Sequence, residues 1–486
     1  MNFLDFLADD ALTPDQFTGE TWETWRAVWG AAFGLPLSSE QEALFKSVAG
    51  GRDVPTARVR ELWAVAGRRS AKSHMAAAAA VYLGTVGAAH GLTDRLSRGE
   101  RGVIALIAVD RPQARVLMGY ITGIIEASPL LAQMVTKRDL EALHFNNRVS
   151  IEVHTNSFRS VRGRTLIAAL LDEVAFFRSD TTATPDTETY RALVPGLATT
   201  GGLLVGISSP YARRGLLFDR WKKHFGKSGD VLVVQGATRD FNPTLDPRVI
   251  EEAEADDPAS AKSEWHGLFR DDVEEFLSLD LVDAAMRAKP LELPRVAGVS
   301  YSAFCDMSGG GQDEHTICIG HREGDHIIID LLEGRRGDPE AAVVHFVEIL
   351  KRYNITRTAG DRYSGEWIPA AYRRHGVTYE PAPGTRTELY MSFAPALRAG
   401  QVELPPDDKL MRQLSTLERR TTRGGRDIVD HSPGAHDDRA NACAGLVALL
   451  VKRKGSAGII PLSRYRAQNF SLNPKAQEQI AWDEPL

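Results

Sequence analysis

The first half of the chain alternates short apolar runs with amphipathic stretches. The runs cover residues 61–66, 103–109, 165–171, 203–207 and 231–235, and stretches with helical spacing lie between them. Continuous apolar runs of this length are typical of strands that are buried on both faces. Their regular alternation with helices predicts an α/β domain with a parallel sheet covered by helices.

Residues 1–58, before the first of these runs, predict a helical extension. Trp22, Trp25 and Trp29 recur at helical spacing, which is typical of one packed face and less often of a base-stacking platform. The apolar stretch 75–92 is rich in Ala and Gly, so we expect a buried helix there instead of a membrane span.

The pattern changes beyond residue 270. Segment 271–295 carries the acidic run DDVEEF and the two prolines of KPLELPR, which break the alternation. We expect a first domain over 1–275, a linker over 276–295 and a second domain over 296–454. Residues 455–486 have little periodicity and predict a tail that is flexible or ordered by a partner.

The second domain begins with three closely spaced apolar runs at 298–305, 315–321 and 326–332. Gly-rich turns between them predict an antiparallel meander. Asp338 and Pro339 predict the N-cap and first residue of a helix that runs to about 353, and two further strand and helix units follow.

Composition narrows the classes of function. The chain has 486 residues, of which 43% are hydrophobic and 25% charged, as expected for two globular domains. A net charge of -6 argues against a protein that coats nucleic acid, so any DNA contact should come from local patches. Cys305, Cys318 and Cys443 form no CxxC pair, and the N-terminus has no export signal, which together favour a reducing cytoplasm.

A strand, loop and helix pattern in LWAVAGRRSAKSHM predicts a phosphate loop. Such a loop cradles phosphates on N–H groups at a helix start, while a Lys reaches the terminal phosphates and a Ser or Thr binds magnesium. Ala66 and Ala71 stand where GxxxxGK[ST] has glycines, so a basic turn is the alternative. The loop residues are Gly67, Arg68, Arg69, Ser70, Ala71, Lys72 and Ser73.

Two further strand ends carry candidate ATPase residues. Asp172 and Glu173 follow an apolar run, and the C-terminal ends of parallel strands are where ligands bind in open sheets. We expect Asp172 to hold Mg²⁺ and Glu173 to orient or deprotonate the attacking water. Ser208 and Ser209 end the next run and are candidates to sense the γ-phosphate, with a plain turn as the alternative.

Acidic residues also end predicted elements in the second half: Asp306, Asp361 and the pair Asp437 and Asp438. In a ribonuclease-H-like fold, the first strand, a later parallel strand and the start of the last helix bring acids together. Two Mg²⁺ or Mn²⁺ ions about 4 Å apart would neutralise such carboxylates and cleave a phosphodiester. Asp438 is favoured over Asp437 as the third ligand, although each acid alone is also typical of a turn or cap.

Basic residues supply candidate phosphate contacts. Arg162 precedes the acidic strand and is a candidate arginine finger for a neighbouring subunit. Two clusters are candidates for gripping DNA phosphates, with an ordinary solvated surface as the alternative. One cluster surrounds two glycines and consists of Arg419, Arg420, Arg423 and Arg426. The other follows the serine pair and consists of Arg213, Arg214, Arg220, Lys222 and Lys223.

Together these motifs resemble the large terminase subunit of tailed bacteriophages, over roughly residues 35–450. That family has a deviant Walker A loop rich in Arg and Ser, a Walker B strand that ends in Asp-Glu, and a short Ser/Thr coupling run. Its Asn-Pro and Glu-x-x-Gly-x-Phe patterns are similar to Asn242-Pro243 and to residues 264–269. The resemblance implies that Gln41 reads adenine. Ala71 departs from the family's phosphate-loop pattern. Asn441 is a second departure, because the family often has an acid at that position.

The resemblance implies a P-loop ASCE-type ATPase domain with a parallel sheet, followed by a ribonuclease-H-like nuclease domain with a mixed sheet. It implies ATP-driven translocation of double-stranded DNA into a procapsid and cutting of concatemeric DNA, with ATP and Mg²⁺ or Mn²⁺ as cofactors. The implied partners are a portal protein, the procapsid, a small terminase subunit and four further copies in a ring. The implied location is the cytoplasm of an infected bacterium, without membrane attachment.

Two alternatives remain at this stage. A cellular helicase-nuclease would need further helicase motifs and a second motor-like domain. A non-enzymatic assembly protein would carry the deviant phosphate loop and Asn441 as marks of decayed sites.

Overall fold

The computed structural model describes residues 1–89, 91–155, 163–177, 185–307, 313–361, 367–421, 427–432 and 435–452. It divides into two compact units, Met1–Glu274 and Glu275–Leu486. Each unit contains a β-sheet packed against helices, which confirms the predicted α/β class. The predicted tail, 455–486, lies outside the described residues.

The first unit is built on an eight-stranded sheet. Its strands are β1 (Glu61–Ala66), β2 (Gly102–Ala108), β3 (Val135–Asp139), β4 (Ala142–Phe145), β5 (Val149–Thr155), β6 (Leu166–Asp172), β7 (Leu203–Ser208) and β8 (Val231–Gly236). Their order in the sheet is β3-β4-β5-β2-β6-β7-β1-β8. The five strands predicted from apolar runs are all present and parallel to their neighbours in the sheet.

Strands β3, β4 and β5 were not predicted from the sequence. β5 runs parallel to β2, whereas β4 pairs antiparallel with both β3 and β5, so the sheet is mixed at this edge. Four of the five residues of β3 are exposed, and β4 has only four residues. Short strands with polar faces lack the continuous apolar run that marks the central strands.

Helices cover both faces of this sheet. Leu62 and Ala64 of β1 pack into one core, while Trp63 and Val65 point to the opposite face and pack into another. The helices are α1 (Phe3–Ala8), α2 (Glu23–Ala32), α3 (Ser39–Val48), α4 (Lys72–Gly84), α5 (Arg111–Ala127), α6 (Pro129–Met134), α7 (Pro185–Thr200), α8 (Gly215–His224), α9 (Thr238–Phe241), α10 (Pro247–Asp256) and α11 (Pro258–Glu264).

The N-terminal extension packs as the tryptophan spacing predicts. Trp25 and Trp29 of α2 are buried, and the Trp25 ring stacks on Phe241 with 4.4 Å between centroids. The Ala-rich helix α4 is buried along nearly all of its length, as expected for segment 75–92. Within the described residues, no helix combines the length and apolar character needed to cross a membrane.

The main sheet of the second unit has six strands. They are β10 (Tyr301–Asp306), β11 (His315–Glu323), β12 (His326–Arg335), β13 (Arg357–Gly360), β14 (Thr378–Pro381) and β15 (Val402–Glu403), and β9 (Val273–Glu275) lies at the unit boundary. The order is β14-β13-β10-β11-β12-β15. β10, β11 and β12 form the predicted antiparallel meander, and β13 and β14 add parallel strands beside β10. This strand order and these strand directions are those of the predicted ribonuclease-H-like fold.

Six helices and a hairpin complete the described part of the second unit. The hairpin pairs β16 (Leu417–Thr421) with β17 (Asp427–His431). The helices are α12 (Leu279–Ala285), α13 (Pro339–Arg352), α14 (Trp367–Arg374), α15 (Arg386–Arg398), α16 (Asp408–Ser415) and α17 (Asp438–Lys452). Helix α13 begins at Pro339 after an Asp338 cap, as predicted.

Segment 276–295, the predicted linker, contains buried residues and a helix. Phe276, Leu277 and Val282 are buried in a core of the second unit, and α12 lies inside the segment. Arg287 donates a 2.7 Å hydrogen bond to the carbonyl of Ile329 on β12. The acidic run and prolines marked a break in periodicity, but the apolar residues between them are enough to anchor the segment.

A buried pair on β11 and β12 makes the stability of the second unit depend on pH. His321 Nδ1 lies 2.6 Å from Asp330 Oδ2, and neither side chain is accessible. Burial disfavours the imidazolium, but the hydrogen bond and charge of Asp330 outweigh it and raise the pKa of His321 above 6.5. Burial raises the pKa of Asp330 as well.

We therefore expect the stabilisation from His321 to be complete below about pH 6.5 and to be lost as pH rises through the folded-state pKa. His321→Gln keeps a polar side chain without the titration, so the variant should lose less stability as pH rises. Hydrogen exchange of the β11 and β12 amides between about pH 6 and pH 8.5 measures this. Equal pH slopes in the two proteins would contradict the assignment.

Candidate functional site

The predicted phosphate loop connects the end of β1 to the start of α4. Arg69 and Ala71 have left-handed backbone conformations, with φ of 60° and 64°. A β-carbon at Gly67 would collide with the Thr238 side chain and the Trp265 carbonyl, so this position requires glycine. The first N–H groups of α4 have no partner inside the helix and are available to an anion.

Lys72 lies beside the acidic strand end and the serine pair. Its Nζ is 3.0 Å from Glu173 Oε1 and donates a 3.2 Å hydrogen bond to Ser209 Oγ. The other Glu173 oxygen accepts hydrogen bonds from Ser208 Oγ at 3.0 Å and from the Ser209 N–H at 3.2 Å. The sheet order explains this, because β7 lies between β1 and β6 and all three strands end at the same edge.

Ser73 and Asp172 form the second contact of this site. Ser73 Oγ donates a 3.1 Å hydrogen bond to Asp172 Oδ1, and Asp172 is 4% exposed. Burial, followed by the charge of Glu173, raises the pKa of Asp172 to about 6, against the effects of Lys72 and Ser73. A buried carboxylate without a full counter-charge is suited to a cation, and these two oxygens are of the kind that Mg²⁺ prefers.

The hydroxyl of Ser70 gives a further test of whether nucleotide fits. Ser70 is fully buried in the loop, and its Oγ has no hydrogen-bond partner among the described residues. Buried polar atoms are seldom left unpaired. An unpaired one therefore indicates a partner outside the protein chain. A phosphate oxygen would be such a partner, so the residues present fit a nucleoside triphosphate.

The two remaining candidate residues of this site are Gln41 and Arg162. Gln41 lies in the first turn of α3, where its Oε1 accepts a 3.1 Å hydrogen bond from the Ser38 N–H in a capping box. Its role in reading adenine stays a prediction. Arg162, the candidate arginine finger, lies outside the described residues.

The predicted nuclease acids meet at one end of the second sheet. Asp306 is the last residue of β10, and Asp361 directly follows β13, whose Gly360 pairs with Cys305. Burial above all, with smaller contributions from the charges of Asp437 and Asp438, raises the pKa of Asp306 to about 7. The sheet and the start of α17 therefore bring Asp306, Asp437 and Asp438 into one electrostatic environment, and Asp361 follows the strand beside Asp306.

The neighbouring acids Asp437 and Asp438 have different partners. Asp437 Oδ2 accepts a 2.7 Å hydrogen bond from the Tyr390 hydroxyl, and its Oδ1 lies 3.6 Å from Arg386 Nη1. Asp438 accepts a 3.2 Å hydrogen bond from the Glu314 N–H, and burial raises its pKa. Asp437 is thus largely satisfied by protein groups, whereas Asp438 keeps capacity for a cation.

Asp438 also belongs to a compact group of possible metal ligands that the sequence did not predict. One ligand atom each from Asp313, His436 and Asp438 lies within 4.8 Å of the others. Among the described residues no other group of three acids, histidines or cysteines is as tight, so Asp306 and Asp361 stand outside it. The predicted acids converge, but they do not form a single closed ligand set.

Asn441 tests whether a metal fits beside Asp306. Its Nδ2 donates a 2.9 Å hydrogen bond to Asp306 Oδ2, while its buried Oδ1 has no hydrogen-bond partner within the described ranges. An amide oxygen and several carboxylates without full compensation are suitable ligands for Mg²⁺ or Mn²⁺. The residues present therefore fit a divalent cation.

The residues of the two basic clusters differ in their surroundings. Arg220 lies over the Tyr190 ring at 4.2 Å and 3.8 Å from Glu61, so it packs inside the first unit. An aromatic face and a buried acid can hold a guanidinium better than solvent does. Arg213, Lys222 and Lys223 are exposed. Arg419 and Arg420 lie on β16, and Arg423 and Arg426 are outside the described residues.

Comparison with known proteins finds solved structures of large terminases. No protein-family model matches the sequence, and a search of curated proteins finds no match either. The large terminase of bacteriophage HK97 is 14% identical with a TM-score of 0.41, and the match covers 92% of this chain and 98% of that one. The large terminase of a thermophilic bacteriophage is 12% identical with a TM-score of 0.39, covering 89% and 100% of the two chains.

A third solved structure matches a shorter part of the chain. The large terminase nuclease of the thermophilic phage G20c is 18% identical with a TM-score of 0.31, and it covers 35% of this chain and 96% of that one. The three structures are thus those of two large terminases and one large terminase nuclease.

Proposed function

We propose that this chain is a viral DNA-packaging motor that hydrolyses ATP in its first unit and cuts DNA in its second. The observation that carries the proposal is the contact of Lys72 with Glu173 and Ser209, beside the contact of Ser73 with Asp172. These are the side chains that nucleotide hydrolysis requires, and they come from three strand ends.

The residues of the first unit divide the work of hydrolysis. Lys72 and the N–H groups at the start of α4 bind the phosphates, and Ser73 and Asp172 hold the Mg²⁺. When bound, Mg²⁺ neutralises charge on the phosphate oxygens. Glu173 orients the attacking water and accepts its proton, which requires that Lys72 turn from Glu173 towards the phosphates. Ser208 and Ser209 touch both side chains, so they are positioned to respond to loss of the γ-phosphate.

The residues of the second unit are suited to cutting a phosphodiester. Asp306, Asp361 and Asp438 would hold the divalent ions, with Asp313 and His436 as further ligands near Asp438. When bound, such ions activate water and stabilise the leaving oxygen. Asp437 is held by Tyr390 and Arg386, and we assign it the positioning of its neighbours instead of ligation.

The motor function implies partners that we propose along with it. Double-stranded DNA is the substrate, and a portal protein, a procapsid and a small terminase subunit are the partners, in the host cytoplasm. A ring of subunits would allow Arg162 to act on the nucleotide of a neighbour. Exposed cations after β7, including Arg213, Lys222 and Lys223, are candidates to contact DNA phosphates.

The two alternative functions are less well supported. A cellular helicase-nuclease would require a second motor-like domain, whereas the unit after Glu274 has the ribonuclease-H-like strand order. A decayed assembly protein would not be expected to keep both the Lys72–Glu173 and the Ser73–Asp172 contacts.

DNA-stimulated ATP hydrolysis and Mn²⁺-dependent plasmid cutting by the full chain test the proposal. The motor-nuclease predicts both activities, and a helicase-nuclease would in addition unwind a duplex with a single-stranded tail. Absence of both activities in a folded protein would favour the assembly protein and refute the proposal.

Glu173→Gln should lower ATP turnover by roughly 10²- to 10⁴-fold, because the amide cannot accept a proton from water. Nucleotide binding should remain, since the substitution leaves Lys72, Ser73 and the loop in place. Single-turnover hydrolysis and equilibrium binding of ATPγS separate the two effects. Glu251→Gln, on the exposed face of α10, is the matched control. Unchanged turnover in Glu173→Gln would remove Glu173 from the mechanism.

A further inference from the structure

Three consecutive carbonyls of the phosphate loop are held by side chains from outside the loop. Thr238 Oγ1 donates a 2.7 Å hydrogen bond to the Arg68 carbonyl, and Asn242 Nδ2 donates a 3.0 Å bond to the Arg69 carbonyl. Trp25 Nε1 donates a 2.5 Å bond to the Ser70 carbonyl. We call these three donors the loop bracket.

The bracket is attached to rigid parts of the first unit. Thr238 and Trp25 are buried, and Trp25 stacks on Phe241 in the helix that Thr238 begins. The Thr238 N–H itself donates a 2.7 Å bond to the Trp265 carbonyl, and the Arg68 N–H donates a 2.5 Å bond to the Glu264 carbonyl. One helix that precedes β1 in the sequence, α2, and one that follows it, α9, therefore both hold the same loop.

The loop that they hold carries backbone strain. Arg69 and Ala71 have φ of 60° and 64°, and a residue with a β-carbon adopts this region at a cost that glycine does not have. Ala71 stands where the usual phosphate-loop pattern has glycine. Strained conformations of this kind persist only when the surrounding structure fixes them.

We infer that the loop bracket is what keeps this glycine-poor loop in its phosphate-binding shape. In a trans peptide unit the carbonyl and the following N–H point in opposite directions, so holding three carbonyls outward turns the next three N–H groups towards the phosphates. Those N–H groups belong to Arg69, Ser70 and Ala71. Thr238, Asn242 and Trp25 are thus positioning residues for the nucleotide, an inference that rests on the proposed ATPase function.

The position of Gly67 supports the same interpretation. A β-carbon there would collide with the Thr238 side chain, so the loop and the bracket pack with no space between them. The side chain of Asn242 is fixed in turn, because its Oδ1 accepts a 2.8 Å bond from Thr244 Oγ1. Both observations indicate that the donors are oriented before any ligand arrives, which lowers the entropic cost of binding.

Thr238→Val removes one donor while keeping the shape of the side chain. We expect ATPγS affinity of the full chain to fall about three- to tenfold, the effect of one hydrogen bond. The matched control is Thr200→Val, which removes a buried hydroxyl that bonds the Leu166 carbonyl in the same unit, away from the loop. Thr200→Val should lower thermal stability similarly and leave affinity unchanged.

Rescue by glycine distinguishes positioning from general damage. Ala71→Gly removes the cost of the left-handed conformation, so the double variant Thr238→Val with Ala71→Gly should recover affinity to within about twofold of the wild type. Asn242→Asp, which keeps the shape but replaces the Nδ2 donor, provides a second test should Thr238→Val fold poorly. It should show the same loss and the same rescue.

Equilibrium titration with ATPγS, alongside thermal unfolding, is the deciding measurement. Loss of affinity in the bracket variants with rescue by Ala71→Gly supports the inference. Wild-type affinity in Thr238→Val and Asn242→Asp, or a loss that Ala71→Gly leaves uncorrected, would overturn it. If the wild-type protein binds no nucleotide, the proposed ATPase function fails, and the inference fails with it.

Discussion

Lys72→Ala is expected to abolish ATP turnover and to leave metal-dependent DNA cutting intact. The Lys72 ammonium is buried at the start of α4, 3.0 Å from Glu173, where it would meet the terminal phosphates of ATP. Loss of a charged group that stabilises the transferred phosphoryl group should lower turnover on the order of 10³-fold. Phosphate release and Mn²⁺-dependent plasmid nicking, measured on one preparation, give both values.

Lys46→Ala is the matched control for this experiment. Lys46 lies on α3 in the same unit and pairs at 2.7 Å with Glu42 on the helix surface, a type of ion pair that contributes little to stability. Its removal should change neither activity. Loss of both ATP turnover and nicking in folded Lys72→Ala would contradict the assignment of the two activities to separate sites.

Asp306→Asn is expected to have the converse effect. Asp306 ends β10, is half-buried and lies near the charges of Asp437 and Asp438, so it belongs to the group of acids at this end of the sheet. Asparagine keeps the shape but removes the charge that attracts a divalent ion. We expect nicking to fall at least on the order of 10²-fold and Mn²⁺ affinity to fall with it, while ATP turnover is unchanged.

Isothermal titration with Mn²⁺ provides a readout of this variant that does not depend on activity. Asp325→Asn is the control, since Asp325 is an exposed turn residue of the same unit. Normal nicking by Asp306→Asn would remove Asp306 from the nuclease site. Normal Mn²⁺ affinity with lost nicking would instead assign it a role other than ligation.

The fold could be predicted where strands are buried on both faces. β1, β2, β6, β7 and β8 are continuous apolar runs, and their order along the chain alternates with helices. β3 lies at an edge of the sheet with mostly exposed side chains, and β4 has only four residues, so their sequences carry no comparable signal. Helix α12 was missed because the prolines and acids around it suggested a linker, whereas Val282 fixes it in a core.

The sequence predicts those site residues that stand at the end of a strand or the start of a helix. Lys72, Ser73, Asp172 and Glu173 follow recognisable patterns, and the parallel sheet brings them together. Trp25 was interpreted only as a packing residue, because nothing local indicates that its indole N–H reaches the Ser70 carbonyl. Contacts between distant segments of this kind depend on the tertiary fold.

In the second unit too, the sequence predicts the acids at element ends but not their contacts with distant segments. Asp306 and Asp438 could be chosen from their places at element ends, but the different partners of Asp437 could not. Tyr390 and Arg386 lie in a helix that follows a Thr385 capping box, a pattern that signals a helix start and nothing about the acids. His436 stands directly before the acidic pair, so its proximity to Asp438 was the nearest available signal.

We propose that one chain holds a nucleotide on Lys72 in its first unit and divalent ions on Asp306 and Asp438 in its second. A crystal structure of the full chain with ATPγS and Mn²⁺, using anomalous scattering to locate manganese, tests it most directly. We expect phosphates against Lys72 and the N–H groups of the loop, and manganese within about 2.5 Å of Asp306 and Asp438 carboxylate oxygens. Phosphates bound away from Lys72, or no manganese at Asp306, would contradict it.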